Sequence, residues 1–302
     1  MNITLIGYGE VGRILAEDLR AQQHVVTAYD LKLGGAAGQA LHEHAEKHGV
    51  SLATSHATAV RNADLVACAV TANQTLASSG ACAPALKLGS FYLDLNSASP
   101  GAKISAAAAV HQGGARYVEG AVMTSIPPYR IKVPLLLGGP DAAALEPLLR
   151  SLGFAPRVAS EKLGVASATK MCRSVMIKGL EAMVIESFTT ARHYGVEDAV
   201  IASLKETFPA IDWEAQGAYF FQRVIEHGRR RAEEVREVAV TVGEAGLEPW
   251  SAAGTAQRQA FIADLTDAGV FGTRGTPGFA RSADWRVEAD RLLQHTKGRD
   301  EL

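Results

Sequence analysis

Gly7, Gly9 and Gly12, in the run GYGEVG near the start of the chain, are spaced to hold a phosphate. Such a trio does so in one local setting, a strand before it and a helix after it. Ile3 to Ile6 form a short β-branched and leucine-rich run ending at Gly7, and Val11, Ile14, Leu15 and Leu19 recur beyond it at helical spacing. In that setting Gly7 makes the turn, Gly9 lets a pyrophosphate approach the backbone, and Gly12 lets helix and strand pack closely. Free amides at the helix start, in the run Tyr8, Glu10 and Val11, then face the anion. A second strand, His24 to Tyr29, ends at Asp30, 18 residues beyond Gly12, where a carboxylate meets the hydroxyls of a ribose. Aspartate there repels a 2′-phosphate, so the pattern points to NAD, while Lys32 two residues on leaves NADP open.

The elements that must position this loop follow in order. A helix is expected over Gly38 to His48, then strands over Ala63 to Val70, Ser90 to Pro100, Ala115 to Met123 and Lys132 to Gly139, separated by alanine-rich helical stretches such as Pro100 to His111. Runs apolar on both faces are what buried parallel strands require, so a Rossmann-type doubly wound α/β sheet is expected over residues 1–161. Ligands of such sheets lie beyond the carboxyl ends of the strands, which places Val70, Thr71, Asn73 and Asn96 beside the cofactor and Ser97 beside the substrate. Asn96 and Ser97 equally suit a turn and helix cap before Ser99 and Pro100.

From Gly164 the pattern turns helical, and an all-α domain is expected over residues 162–302. Its first helix is long, with Val175, Met176, Leu180, Met183, Val184 and Phe188 forming an apolar face. A second is expected over Arg229 to Ala245, with His227 at a break before it and a polar tail after Leu293. Trp213, Tyr219, Phe220 and Phe221 read as core or dimer packing, Glu234 and Glu237 with Arg230 and Arg231 as a solvated ion-paired face, and Lys178 as a surface lysine.

Composition narrows the partners. A net charge of −2 over 302 residues supplies no positive field for nucleic acid, and no apolar run approaches a membrane span. The three cysteines, Cys68, Cys82 and Cys172, form no CxxC pair, so neither a disulfide framework nor a metal site is expected. With the glycine motif directly at the start, no leader is expected and the reduced cytoplasm fits best.

A nucleotide domain followed by a long helix carrying GVASATKMCRS resembles the β-hydroxyacid dehydrogenases, the group that includes 3-hydroxyisobutyrate and 6-phosphogluconate dehydrogenases. DLNSASP, close to the family's D-x-S-T-x-S-P, strengthens the resemblance, which covers residues 1 to 195. The C-terminal run HGRRRAEEVREVAVTVGEAGLEPW resembles a subgroup whose helical domain has no assigned function. The resemblance implies an NAD(P)-dependent oxidoreductase and a homodimer, and it makes Lys170, six positions after Gly164, the catalytic acid/base.

Departures within the resemblance fall on the substrate side. EGAVMTS, Glu119 to Ser125, stands where the family reads D-A-P-V-S-G-G, with Met123 in place of a serine that commonly binds substrate, and Ser174 replaces an asparagine. Thr124 and Ser125 offer hydroxyls to a carboxylate, and Arg173, three residues after Lys170, is expected on its face to lower the lysine pKa or grip a carboxylate. The implied substrate is a small 3-hydroxy acid or its keto partner, with amino or aryl substitution open. An imine reductase on the same architecture and a nucleotide sensor without chemistry are the alternatives.

Overall fold

The computed structural model describes residues 1–36, 38–277, 279–280 and 282–300, with side chains to residue 296. The apolar run before the glycine motif is a strand, β1 (Asn2–Ile6), and α1 (Glu10–Ala21) follows directly after the turn. β2 (Val25–Tyr29) pairs parallel with β1, Ile6 opposite Tyr29. After α2 (Gly38–His48), the two-residue β3 (Ser51–Leu52) and α3 (His56–Val60), the chain crosses to the other side of β1, where β4 (Leu65–Cys68) pairs parallel. A start in one direction and a return in the other leaves a switch point at β1 and β4, where doubly wound sheets hold ligands.

From there the sheet grows outward through α4 (Thr75–Cys82), β5 (Phe91–Asp94), α5 (Pro100–Gln112), β6 (Arg116–Val122), β7 (Pro134–Gly138), α6 (Ala142–Ser151) and β8 (Ala155–Ser160). The strand order is β3-β2-β1-β4-β5-β6-β7-β8. The doubly wound sheet is as expected, with one strand reversed: β7 runs antiparallel to β6. The connection over residues 123–133 explains it, since it holds one short 3-10 turn, Arg130–Lys132, and a parallel return needs a crossover of a dozen residues or more. β3 and β8 escaped the sequence reading, one for its length and one because APRVAS is an edge strand with alternate residues exposed.

The chain divides into two compact units, Met1–Cys172 and Arg173–Leu302, and α7 (Val165–Tyr194) runs from the first into the second. The second unit is helical, with α8 (Glu197–Thr207), α9 (Trp213–Glu244), α10 (Trp250–Asp267) and α11 (Trp285–Asp300). Its core gathers Val184, Ile185 and Phe188 of α7 with Trp213, Phe221, Val224 and Trp285. Phe220 is buried with them while Tyr219 is exposed.

Several helical expectations are corrected. Met176 and Met183 are 71% and 61% exposed, because the buried stripe of α7 passes through Ile185 instead. His227 lies inside α9, which begins at Trp213 and shows no break; Gly228 is accommodated there because it packs against the backbone carbonyl of Gln259. Past Leu293, where a polar tail is expected, α11 continues to Asp300, and Glu301 and Leu302 lie outside the described residues. Arg231 is buried against Glu181, and Lys178 is buried with its ammonium 2.5 Å from Glu234. The supposed solvated face is thus partly internal, and burial holds the Lys178 ammonium below the usual lysine range against the opposing pull of Glu234. Among the described residues no helix is long and apolar enough to cross a membrane.

Candidate active site

The glycine loop has the geometry that its residue types require. Gly7 sits at φ +93°, and a side chain there would meet the Ala69 carbonyl at 2.4 Å. A Cβ on Gly12 would lie 2.1 Å from the Gly7 carbonyl oxygen, so strand and helix approach here only through glycine. Gly9 differs: nothing lies within 4 Å of where its Cβ would be. It is also the N-cap of α1 and brings no side-chain cap, so the first turn of α1, with Glu10 and Val11, keeps its amides for a ligand.

Asp30 closes the loop from β2, its carboxylate accepting from the amides of Tyr8 (2.7 Å) and Lys32 (2.9 Å). A carboxylate has about four acceptor positions, so two remain for hydroxyls. The Tyr8 amide is thereby committed to Asp30 and its ring is buried, which pushes the phenol pKa up to about 12. Open space at Gly9, an uncapped helix and a half-buried aspartate together fit a dinucleotide.

At the neighbouring strand ends, Asn96 is a strut. Its side-chain oxygen accepts from the Val70 amide at 2.7 Å and its amide nitrogen donates to Cys68 Sγ at 3.4 Å, tying the end of β4 to β5. Ser99, not Asn96 or Ser97, caps α5, accepting from the Ala102 amide, and Pro100 opens the helix. Thr71 donates to Asn73 at 2.7 Å in the loop after β4. Ser97 is left to a different partner, the half-buried Lys170 of α7, whose ammonium donates to the Ser97 hydroxyl at 2.6 Å.

Two buried carboxylates fix the elements on either side of that contact. Asp94, at the end of β5 and 1% exposed, accepts from Lys103 Nζ (2.9 Å), Tyr117 Oη (2.7 Å) and the Asn96 amide (2.9 Å). Lys103 also reaches the Asp94 carbonyl, so the turn carrying Asn96 and Ser97 hangs on a fully buried ion pair. Burial and the Asp94 charge hold the Tyr117 phenol well above its ordinary pKa, which keeps it a donor. Glu119 of β6, also fully buried, accepts from the Ala166 amide (3.0 Å) and the Ser167 hydroxyl (2.8 Å), anchoring the first turn of α7 four residues before Lys170. Gly138 makes room for it, since a Cβ there would stand 2.2 Å from a Glu119 oxygen. Asp94 and Glu119 were visible in the sequence only as parts of DLNSASP and EGAVMTS, and Lys103 gave no signal at all on an alanine-rich helix.

Met123, Thr124 and Ser125 follow the end of β6. Met123 packs on Ala121, Leu136 and Ala166, Thr124 is exposed and Ser125 half-buried. On α7 the Ser174 side chain is buried, whereas Arg173 is exposed, three residues and so about 60° around the helix from Lys170.

Comparison with known proteins agrees with the nucleotide-binding fold. Residues 2–153 match the family model of the NAD binding domain of 6-phosphogluconate dehydrogenase, and residues 191–262 match a domain of unknown function, DUF1932. A conserved hypothetical protein from Sinorhizobium meliloti, solved by crystallography, is 34% identical over 97% of this chain and 96% of its own, with a TM-score of 0.77. An uncharacterised 28.5 kDa protein of Methanothermus fervidus is 28% identical, covering 82% of this chain and 94% of that protein. The 3-hydroxyisobutyrate dehydrogenase of Mycobacterium tuberculosis, solved with L-serine, shares the fold at 15% identity, with a TM-score of 0.67 over 96% of this chain and 98% of its own.

Proposed function

Because the chain belongs to the family built on the NAD binding domain of 6-phosphogluconate dehydrogenase, we propose that it is an NAD-preferring oxidoreductase interconverting a small 3-hydroxy acid and its keto form. The observation that carries the reading is the 2.6 Å contact between Lys170 and Ser97, on an α7 whose first turn Glu119 anchors to the sheet. When bound, the nicotinamide accepts or returns a hydride at the carbinol carbon. In the oxidising direction the neutral Lys170 amine takes the hydroxyl proton as that hydride leaves; in the reducing direction its ammonium returns the proton to the forming alkoxide. Ser97 orients the amine by accepting from it.

In this reading the Gly9 backbone and the first turn of α1 hold the pyrophosphate, Asp30 takes the adenosine ribose hydroxyls, and Val70, Thr71 and Asn73 border the cofactor beyond β4, with Asn96 holding that border in place. Ser97, Met123, Thr124 and Ser125 serve the substrate, joined by Arg173 and Ser174 on the strength of their spacing from Lys170. L-serine, found with the mycobacterial relative, is itself a 2-amino-3-hydroxy acid, which supports keeping amino-substituted hydroxy acids among the candidates. We also infer a homodimer, for which Leu247 and the 80%-exposed Trp250 offer apolar surface, and a cytoplasmic location, which the free cysteines suit.

The test is NAD and NADP reduction, and NADH and NADPH oxidation, across 3-hydroxy, 3-keto, 2-amino-3-hydroxy and imine compounds, with Lys170→Ala beside the wild type. Turnover of a hydroxy acid that disappears with the lysine, while NADH still binds, is the expected result. Imine reduction surviving in Lys170→Ala would move the chemistry to an imine reductase; tight NADH binding with no turnover on any compound would make the protein a sensor.

A further inference from the structure

We propose that Glu17, His44 and His48 form a binding site for a late first-row divalent cation, zinc above all, between α1 and α2 behind the nucleotide loop. His44 and His48 stand one turn apart on α2 with rings stacked at 4.5 Å, and Glu17 of α1 brings Oε1 to 2.9 Å from His44 Nε2. One ligand atom from each residue lies within 4.8 Å of the other two. Bonds of about 2.0–2.1 Å put tetrahedral ligands roughly 3.3 Å apart, so the His44–Glu17 pair is already close enough and a small rotation of His48 completes the triad. Two imidazoles and one carboxylate, with a fourth position left to water, select zinc, cobalt or nickel and disfavour calcium and magnesium, which require oxygen ligands.

The surroundings supply what a coincidental cluster lacks. The outer nitrogen of His44 lies 2.8 Å from Tyr8 Oη, and the second oxygen of Glu17 lies 2.7 Å from Arg130, which Asp18 also holds. Metal-bound histidines and carboxylates are oriented by such outer partners, whose loss typically costs 10–100-fold in metal affinity. Coordination through Nε2 selects the His44 tautomer with its proton on Nδ1, which then donates to the Tyr8 hydroxyl. Tyr8 is the second residue of GYGEVG, so an ion held here stiffens the loop that contacts the nucleotide. The expectation of no metal rested on cysteine spacing; the histidine pair becomes a site only when the fold brings Glu17 to it.

The experiment is titration of the chelator-stripped full chain with Zn2+ by calorimetry and with Co2+ by visible absorption. One equivalent binding in the micromolar range or tighter is expected, with the ligand-field bands of a low-coordinate Co2+ complex and a higher melting temperature. Affinity should fall at least about tenfold in His48→Ala and, separately, in Glu17→Gln, and stay unchanged in His42→Ala, an exposed histidine on the same helix. Both weakened variants should keep the wild-type circular dichroism, so that loss of fold is distinguished from loss of ligand. No saturable uptake up to the millimolar range, or uptake indifferent to both substitutions, would overturn the site and leave Tyr8, His44, Glu17 and Arg130 as a hydrogen-bonded strap.

Discussion

The ammonium of Lys170 lies 2.6 Å from the hydroxyl of Ser97, joining the first turns of α7 to the turn that follows β5. In the proposed reaction this contact would orient the lysine for proton transfer, and general acid–base groups typically contribute 10²–10⁴-fold. Lys170→Met should therefore lower kcat by about 10²–10⁴-fold with the NADH dissociation constant unchanged. Ser97→Ala, which keeps the amine and removes its orienting partner, should lose about tenfold, chiefly in kcat. Steady-state kinetics beside fluorescence titration with NADH checks both, and an equal loss in the two variants would contradict the division of roles.

The glycines of the loop separate binding from folding. Gly9 faces open space whereas a Cβ on Gly12 would overlap the Gly7 carbonyl at 2.1 Å. Gly9→Ala should keep the wild-type melting temperature and weaken NADH binding at least about tenfold, because the methyl occupies the path of the pyrophosphate. Gly12→Ala should lower the melting temperature as well, since strand and helix must part. Differential scanning calorimetry with NADH titration on the two proteins distinguishes them.

Much of this arrangement is legible in the residues, for a physical reason. The turn at Gly7, the helix at Glu10 and the carboxylate at Asp30 are local consequences of residue type over short spans, and the apolar runs mark buried strands whatever their direction. Direction is another matter: the reversal of β7 depends on how little helix residues 123–133 can form. Long-range polar partners were out of reach altogether. Lys178 on α7 reads as an ordinary surface lysine until Glu234 of α9 meets it, and Lys103 carries no signal until Asp94 does. A pairing across dozens of residues leaves no trace in the spacing on either side.

Lys103 and Asp94 are both 1% exposed, so removing one partner strands a charge away from water. Such losses cost about 3–5 kcal/mol, more than most core truncations of a single methylene. Lys103→Met should destabilise the chain by that amount in urea unfolding followed by circular dichroism. The double variant Lys103→Met with Asp94→Leu should recover part of it, because no charge is then left uncompensated. Since Asp94 also holds the Asn96 amide, the folded double variant should still show reduced turnover.

His227 gives the pH dependence a definite sign. It sits within α9, where burial first, and then the charges of Arg230, Arg223 and Arg231, hold its pKa below the ordinary histidine value, against an opposing effect of Glu226. With the folded pKa lowered, the unfolded chain takes up a proton at a pH where the folded chain does not. Stability from this residue is therefore fully present above about pH 6.5 and is lost as pH falls through that value towards the folded pKa. Replacing the ring with an uncharged amide removes the differential uptake, so His227→Gln should unfold at a urea concentration less sensitive to pH than the wild type between about pH 7.5 and 5.5. His24 and His56, also held low by burial, remain in both proteins and cancel in the comparison. A wild-type profile no steeper than that of His227→Gln would show that the imidazole takes up its proton as readily in the folded helix as in the unfolded chain.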